Sequence, residues 1–173
     1  MKGGATYYAE AIARHTTLRL SPDAVHQLGL SEVARIQRDM DTVRQRLGFA
    51  GTLRQFFDDI RSNPRYHPKS RDELSRAFAA AAKAVDAQIP QFFNKRPKAK
   101  LLIEPYPDYR EKYEAGGSYN QGSPDGTRPG TFFYNAYDLP SRFLTGVVTL
   151  YMHEGTPGHH FQISLAQENT SLP

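Results

Sequence analysis

A chain of 173 residues that is 39% hydrophobic can bury a core, yet no run reaches the ~18 consecutive apolar residues of a membrane helix. It has no cysteine, which excludes disulfides and thiolate metal sites and leaves His, Asp and Glu as the available metal ligands. The formal charge of +4 comes from basic residues mostly interleaved with acids, as over Arg35–Arg46, and the one dense basic run, Asn94–Lys100, has no zinc-finger or RNP motif beside it, so nucleic-acid binding is not expected.

Residues 4–20, carrying Tyr7, Tyr8, Ile12 and Leu18, begin with a helix. The N-terminal stretch lacks the apolar segment of a signal peptide, so a cytoplasmic location is expected if the chain is the complete product; otherwise the compartment stays open. Ser21-Pro22-Asp23 is a helix start, with serine as N-cap, proline in the first turn and an acid near the positive end of the dipole. Val33, Ile36, Met40, Val43 and Leu47 then recur three and four apart, which predicts a buried helical stripe ended by Gly48. Thr52 caps a short helix with Leu53, Phe56, Phe57 and Ile60, stopped by Asn63-Pro64. Ser70 caps another, with Leu74, Phe78, Ala81, Ala82 and Val85, reaching roughly Ile89 before Pro90. Residues 1–89 therefore read as a helical scaffold.

After Pro90 the pattern changes. Lys100–Glu104, Ala115–Tyr119 and Gly130–Asn135 have the composition of strands, and Gln121–Gly130 is a turn-rich connection. Asp138-Leu-Pro-Ser141 opens the helix that leads to His153. The expected fold is mainly α with a small antiparallel β-sheet (α+β): one domain over 1–173, in which 90–173 supply the sheet and a metal-site helix. No internal repeat or linker divides it.

The chemistry concentrates in His153-Glu-Gly-Thr-Pro-Gly-His-His160. A zinc hydrolase usually carries H-E-x-x-H on one helix, two histidine ligands four apart and a glutamate base between them. Here Pro157 stands four after His153. An unbroken helix would separate His153 and His160 by about 10.5 Å along its axis, too far for one ion. Pro157 forbids that helix in any case, because it has no N–H for the His153 carbonyl and its ring clashes there. The expectation is a helix ending near His153-Glu154, a tight Gly-Thr-Pro-Gly turn, and a second helix from about Gly158. Such a turn returns His159 or His160 to the side of His153. A structural or pH-sensing histidine cluster is the competing reading; Glu154 gains meaning only from standing beside a ligand, where it can take a proton from water.

Three blocks carry a resemblance: Tyr7-Tyr8, His15-Thr-Thr17, Ser21-Pro22 and His26–Gly29; Gly116, Tyr119 and Gly122-Ser-Pro-Asp-Gly126; and His153–Gln162. Together they resemble the bacterial domain-of-unknown-function 885 family, which is grouped with gluzincin-type metallopeptidases through H-E-x-x-P-G-H-x-x-Q. The resemblance implies zinc as cofactor, His153 and His159 as its ligands, and Glu154 as catalytic base. His160 and Gln162 fall on motif positions expected to support the ligands or face substrate. Family members are longer, and a downstream Glu-Gly-Trp helix looks like the source of their third ligand. This sequence has no tryptophan, so the chain is expected to be a fragment of such a protein. Glu168 is an alternative ligand two to three turns past His159, while Asp138 or Glu104 would have to approach through the fold.

The implied activity is zinc-assisted hydrolysis of a peptide or amide bond. Tyr119, Arg128, Tyr134 and Asn135 are the candidate substrate-facing residues, and an edge strand of the sheet can add an extended peptide. The alternatives are a catalytically inactive remnant binding peptides along strand 130–135, or a structural subunit needing a downstream chain to complete its site. Exposed apolar surface on such a fragment predicts self-association.

Overall fold

The structure, a computed structural model, describes residues 2–171. It forms two compact units, the first ending at Ser62 and the second beginning at Asn63.

The first unit is three helices, α1 (Gly4–Thr16), α2 (Pro22–Arg46) and α3 (Leu53–Ser62). Their ends follow from local chemistry. Ser21 Oγ accepts the Ala24 N–H at 3.1 Å to start α2, and Gly48 leaves it at φ 71°, a backbone angle that disfavours a side chain. Before α3, Thr52 Oγ1 accepts from Gln55 N and Gln55 Oε1 accepts from Thr52 N, a reciprocal capping box. The stripe expected to be buried is not. Val33, Ile36, Met40, Val43 and Leu47 are 40–66% exposed, and α2 has no buried residue. Periodicity marks a face suited to burial; within this unit α1 and α3 are too short to cover it.

The second unit holds α4 (Arg71–Asp86), α5 (Ile89–Phe92), β1 (Leu101–Pro105), β2 (Gly117–Asn120), β3 (Gly130–Tyr134), α6 (Val147–Glu154) and α7 (Gly158–Gln167). Its beginning corrects the expected scaffold boundary after residue 89. Leu74, Phe78, Ala81 and Ala82 of α4 pack with Phe132, Tyr134, Val147 and Tyr151 into one core, so α4 belongs with the sheet. The helix also ends at Asp86 rather than Ile89, and Ile89-Pro90 begins the separate turn α5, where proline is tolerated.

The α+β class stands, but the sheet is mixed rather than antiparallel. Its order is β1-β3-β2, with β1 parallel and β2 antiparallel to β3. Strand composition does not encode partner direction; the connections do. Residues 106–116 carry the chain past the place where β3 later inserts. They are held there by Asn135, whose Nδ2 donates to the carbonyls of Glu111, Glu114 and Ala115. Glu111, buried, takes both Arg71 guanidinium nitrogens at 2.9 Å. Strand 130–135, the groove of the inactive-remnant reading, is therefore central and has both edges filled. The free edges belong to β1 and β2.

Residues 121–129 close the β2–β3 hairpin around Asp125. Its Oδ1 accepts from Ser123 Oγ at 2.5 Å, Thr127 N at 3.0 Å and Thr127 Oγ1 at 2.8 Å, and these bonds, Ser123's first, hold the carboxyl down at about 2. A depressed carboxyl stabilises the fold above its unfolded value of 3.8 and loses that contribution as pH falls through about 2. The expected carboxyl NMR titration of Asp125 thus has its midpoint near 2; a midpoint near 3.8 would show the loop is not held this way.

Candidate metal centre

Two glycines and a proline turn the chain between the two short helices. The helix carrying His153 was expected to begin at Asp138; instead isolated 3-10 turns occupy Leu139–Ser141 and Leu144–Gly146, and α6 starts only at Val147. Pro140 and Gly146 account for the delay. At the other end α6 stops at Glu154, the Thr156–Pro157 peptide is cis, and α7 starts at Gly158, as the sequence predicts. Gly155 lies against the Tyr151 ring, where an added Cβ would stand 2.8 Å from the ring edge. Gly158 lies against the carbonyls of Met152 and His153, so closely that a Cβ there would collide with both. Only glycine permits this approach of α7 to the end of α6.

The turn brings His159, not His160, back to His153. Their ring centroids are 4.8 Å apart and nearly perpendicular, and His159 Nε2 lies 3.9 Å from Glu154 Oε2. One donor atom from each of His153, Glu154 and His159 lies within 4.8 Å of the other two, the one such group among the described residues. Tetrahedral ligands with bonds of about 2.0–2.1 Å stand about 3.4 Å apart. Side-chain rotation closes that difference, and two imidazoles with a carboxylate suit a borderline cation such as zinc. His153 is exposed and Glu154 only 12% so. The two histidines, but not Glu154, line a groove of about 530 Å³ with Phe93, Met152, Phe161 and Gln162.

The other expected residues lie elsewhere. His160 turns inward: it is buried, and its Nδ1 meets Tyr119 Oη at 2.9 Å. Burial, against a weaker upward pull from the Ala99 carbonyl and two acids, holds its imidazole below the ordinary range and hence neutral. Tyr119 reaches it from β2 across Gly130, where any Cβ would strike the phenol. Glu168 is engaged by the backbone N–H of Lys98 at 2.7 Å, away from the cluster. Arg128 folds onto the Gln121 carbonyl at 2.7 Å in the hairpin loop. Tyr134 stacks on Phe78 in the core, 4.5 Å between centroids, and Asn135 is spent on the carbonyls of 111–115. Glu104 and Asp138 are not in the cluster.

Over residues 1–173 the sequence matches the family described as bacterial protein of unknown function (DUF885). The chain belongs to that family. This DUF885 chain is also similar in structure to "the putative lipoprotein from Colwellia psychrerythraea", with a TM-score of 0.86 at 31% identity. The match covers 99% of this chain and 30% of that one, so the DUF885 chain described here spans less than a third of that relative's length. A comparison with curated proteins gives no match. No helix among the described residues is long and apolar enough to cross a membrane.

Two buried tyrosines of the DUF885 chain escape a sequence reading. Tyr106 donates to Ser118 Oγ of β2 at 2.6 Å, and its phenol is pushed up by burial first, against that hydrogen bond, with Glu114 adding to the rise. Tyr151, also buried, donates to Asp86 at 2.9 Å. Its phenol is raised strongly, by burial first and further by the Asp86 carboxylate. Their only sequence signal is an aromatic residue in an apolar setting, which reads as core.

Proposed function

We propose that this DUF885 chain carries the core of a zinc-dependent hydrolase of peptide or amide bonds. His153 and His159 would hold the ion, and Glu154 would act as general base. The observation supporting the reading is the meeting of these three side chains, from two helices joined by a Gly-Thr-Pro-Gly turn, with both histidines on an open groove. When bound, zinc supplies Lewis acidity toward water and the scissile carbonyl. The chain's own part is positional and protonic. Glu154, poorly solvated, accepts the proton of the attacking water and returns it to the leaving amine. Gly155 and Gly158 hold His159 across from His153. The free edge of β2 offers backbone groups to an extended peptide, and Tyr106 fixes Ser118 on that strand with a 2.6 Å hydrogen bond. A catalytic zinc takes three protein ligands, and with Glu154 as base the third is assigned to the Glu-Gly-Trp helix that the family resemblance implies.

The test is zinc binding by equilibrium dialysis against buffered free zinc, for wild type, His153→Ala, His159→Ala and Glu154→Gln. With two protein ligands, wild type and Glu154→Gln are expected to bind about one zinc per chain weakly, and both histidine variants to bind far less. Hydrolysis of a quenched-peptide library should fall by about 10²–10⁴-fold in Glu154→Gln. Equal zinc in wild type and the histidine variants would sink the reading.

A further inference from the structure

The turn between the ligands is attached to a helix that carries neither of them. Asp86 lies at the end of α4, and its Oδ1 accepts the Tyr151 hydroxyl at 2.9 Å, 65 residues away in sequence. Tyr151 is 1% exposed and stands two residues before His153. The ring of the same tyrosine is the surface on which Gly155 rests. One side chain thus contacts the turn through its ring, while the carboxylate of Asp86 fixes where that ring sits.

We propose that Asp86 and Tyr151 form a tether that positions His159 against His153, with Tyr151 as its central positioning residue. The metal-binding aspect of this inference rests on the reading of the histidine pair given above; the tether does not. Packing alone would need only the ring, which phenylalanine supplies. The hydroxyl has one geometrical consequence: it fixes, to a helix anchored in the core, the ring on which the turn rests, and the path of that turn decides where His159 points. Outer partners of metal ligands typically change affinity by 10–100-fold when removed.

The experiment compares wild type with Tyr151→Phe, Asp86→Ala and Asp86→Asn. Cobalt(II) is titrated and followed by its visible absorption, and amide hydrogen exchange is recorded on the metal-free proteins. Cobalt affinity is expected to fall about tenfold or more in Tyr151→Phe and Asp86→Ala, with altered band intensity, and to recover in Asp86→Asn, whose side-chain oxygen still accepts the hydroxyl. Exchange of the Gly155, His160 and Phe161 amides, bonded to the carbonyls of Tyr151, Gly155 and Pro157, should quicken several-fold in Tyr151→Phe and Asp86→Ala, while the β3 amides stay unchanged. If wild type takes up no cobalt, the metal reading fails, and exchange alone decides the tether. Unchanged turn amides, or equal acceleration of turn and β3 amides, would overturn it.

Discussion

Gly158→Ala is expected to abolish zinc retention and to destabilise the second unit by about 3 kcal/mol, the upper part of the usual range for forcing an atom into a filled space. The reason is what the added methyl would meet. Its neighbours are the backbone carbonyl oxygens of Met152 and His153 and the carbonyl carbon of His153, none of which can swing aside as a side-chain tip does. Relief requires α7 to withdraw from the end of α6, and His159 is the next residue along. A shift of an ångström or more there opens the pair whose rings now stand 4.8 Å apart. Zinc content and a urea unfolding curve, measured on Gly158→Ala and on Gly29→Ala, check this. Gly29 is also helical, but a Cβ there meets nothing, so its replacement should be neutral or slightly stabilising. Retained zinc and an unchanged midpoint in Gly158→Ala would show that the close approach is not required.

The candidate site was largely legible because its unusual feature is local. Pro157 between two glycines dictates a break in the helix, and a break of that length can bring only a nearby histidine back. Spacing alone left His159 and His160 as equal choices, and only the family resemblance pointed to His159. Consecutive helical residues point about 100° apart, and the neighbour that fills the other direction, Tyr119, arrives from β2 forty-one residues earlier. That pairing is nonlocal, and nothing in the spacing announces it. The same holds for Asp86 and Tyr151. It holds too for Asn135 and Arg128, polar residues that appeared free for substrate until the carbonyls they serve were in view.

The fold divides in the same manner. Helix starts at Ser21, Thr52 and Ser70 were readable because each cap bonds a backbone N–H within three residues. The strands were readable by composition, but the parallel pairing of β1 with β3 depends on a connection fixed by Arg71 and Glu111, forty residues apart. Helical periodicity located the apolar face of α2 and said nothing about whether another element covers it. The row of Val, Ile, Met and Leu on α2 stays exposed.

Burial, rather than hydrophobicity, should then decide which apolar substitutions hurt, and Phe132→Ala is expected to be the costliest of them. Phe132 is fully buried in the central strand, edge-on to Phe78 at 5.3 Å, and within 6.3 Å of both Tyr134 and Tyr151. Truncation removes contacts to two helices and the sheet at once. A rigid β-strand flanked by paired neighbours cannot collapse into the gap, so the cost should be about 3–5 kcal/mol. That lowers the melting temperature of the second unit by about 10 °C or more. Val33→Ala removes an apolar group that periodicity also assigns to the core, but Val33 is 54% exposed, and its loss should change stability by no more than about 0.5 kcal/mol. Calorimetry of the two variants separates the cases. A cost at Val33 close to that at Phe132 would mean that α2's apolar face is covered in solution, whereas a small cost at Phe132 would mean that the sheet is not the centre of the core. Because Tyr151 touches Phe132 on one side and Asp86 on the other, Phe132→Ala should also loosen the ligand turn. Its zinc affinity should therefore fall even below the melting transition, whereas that of Val33→Ala should not.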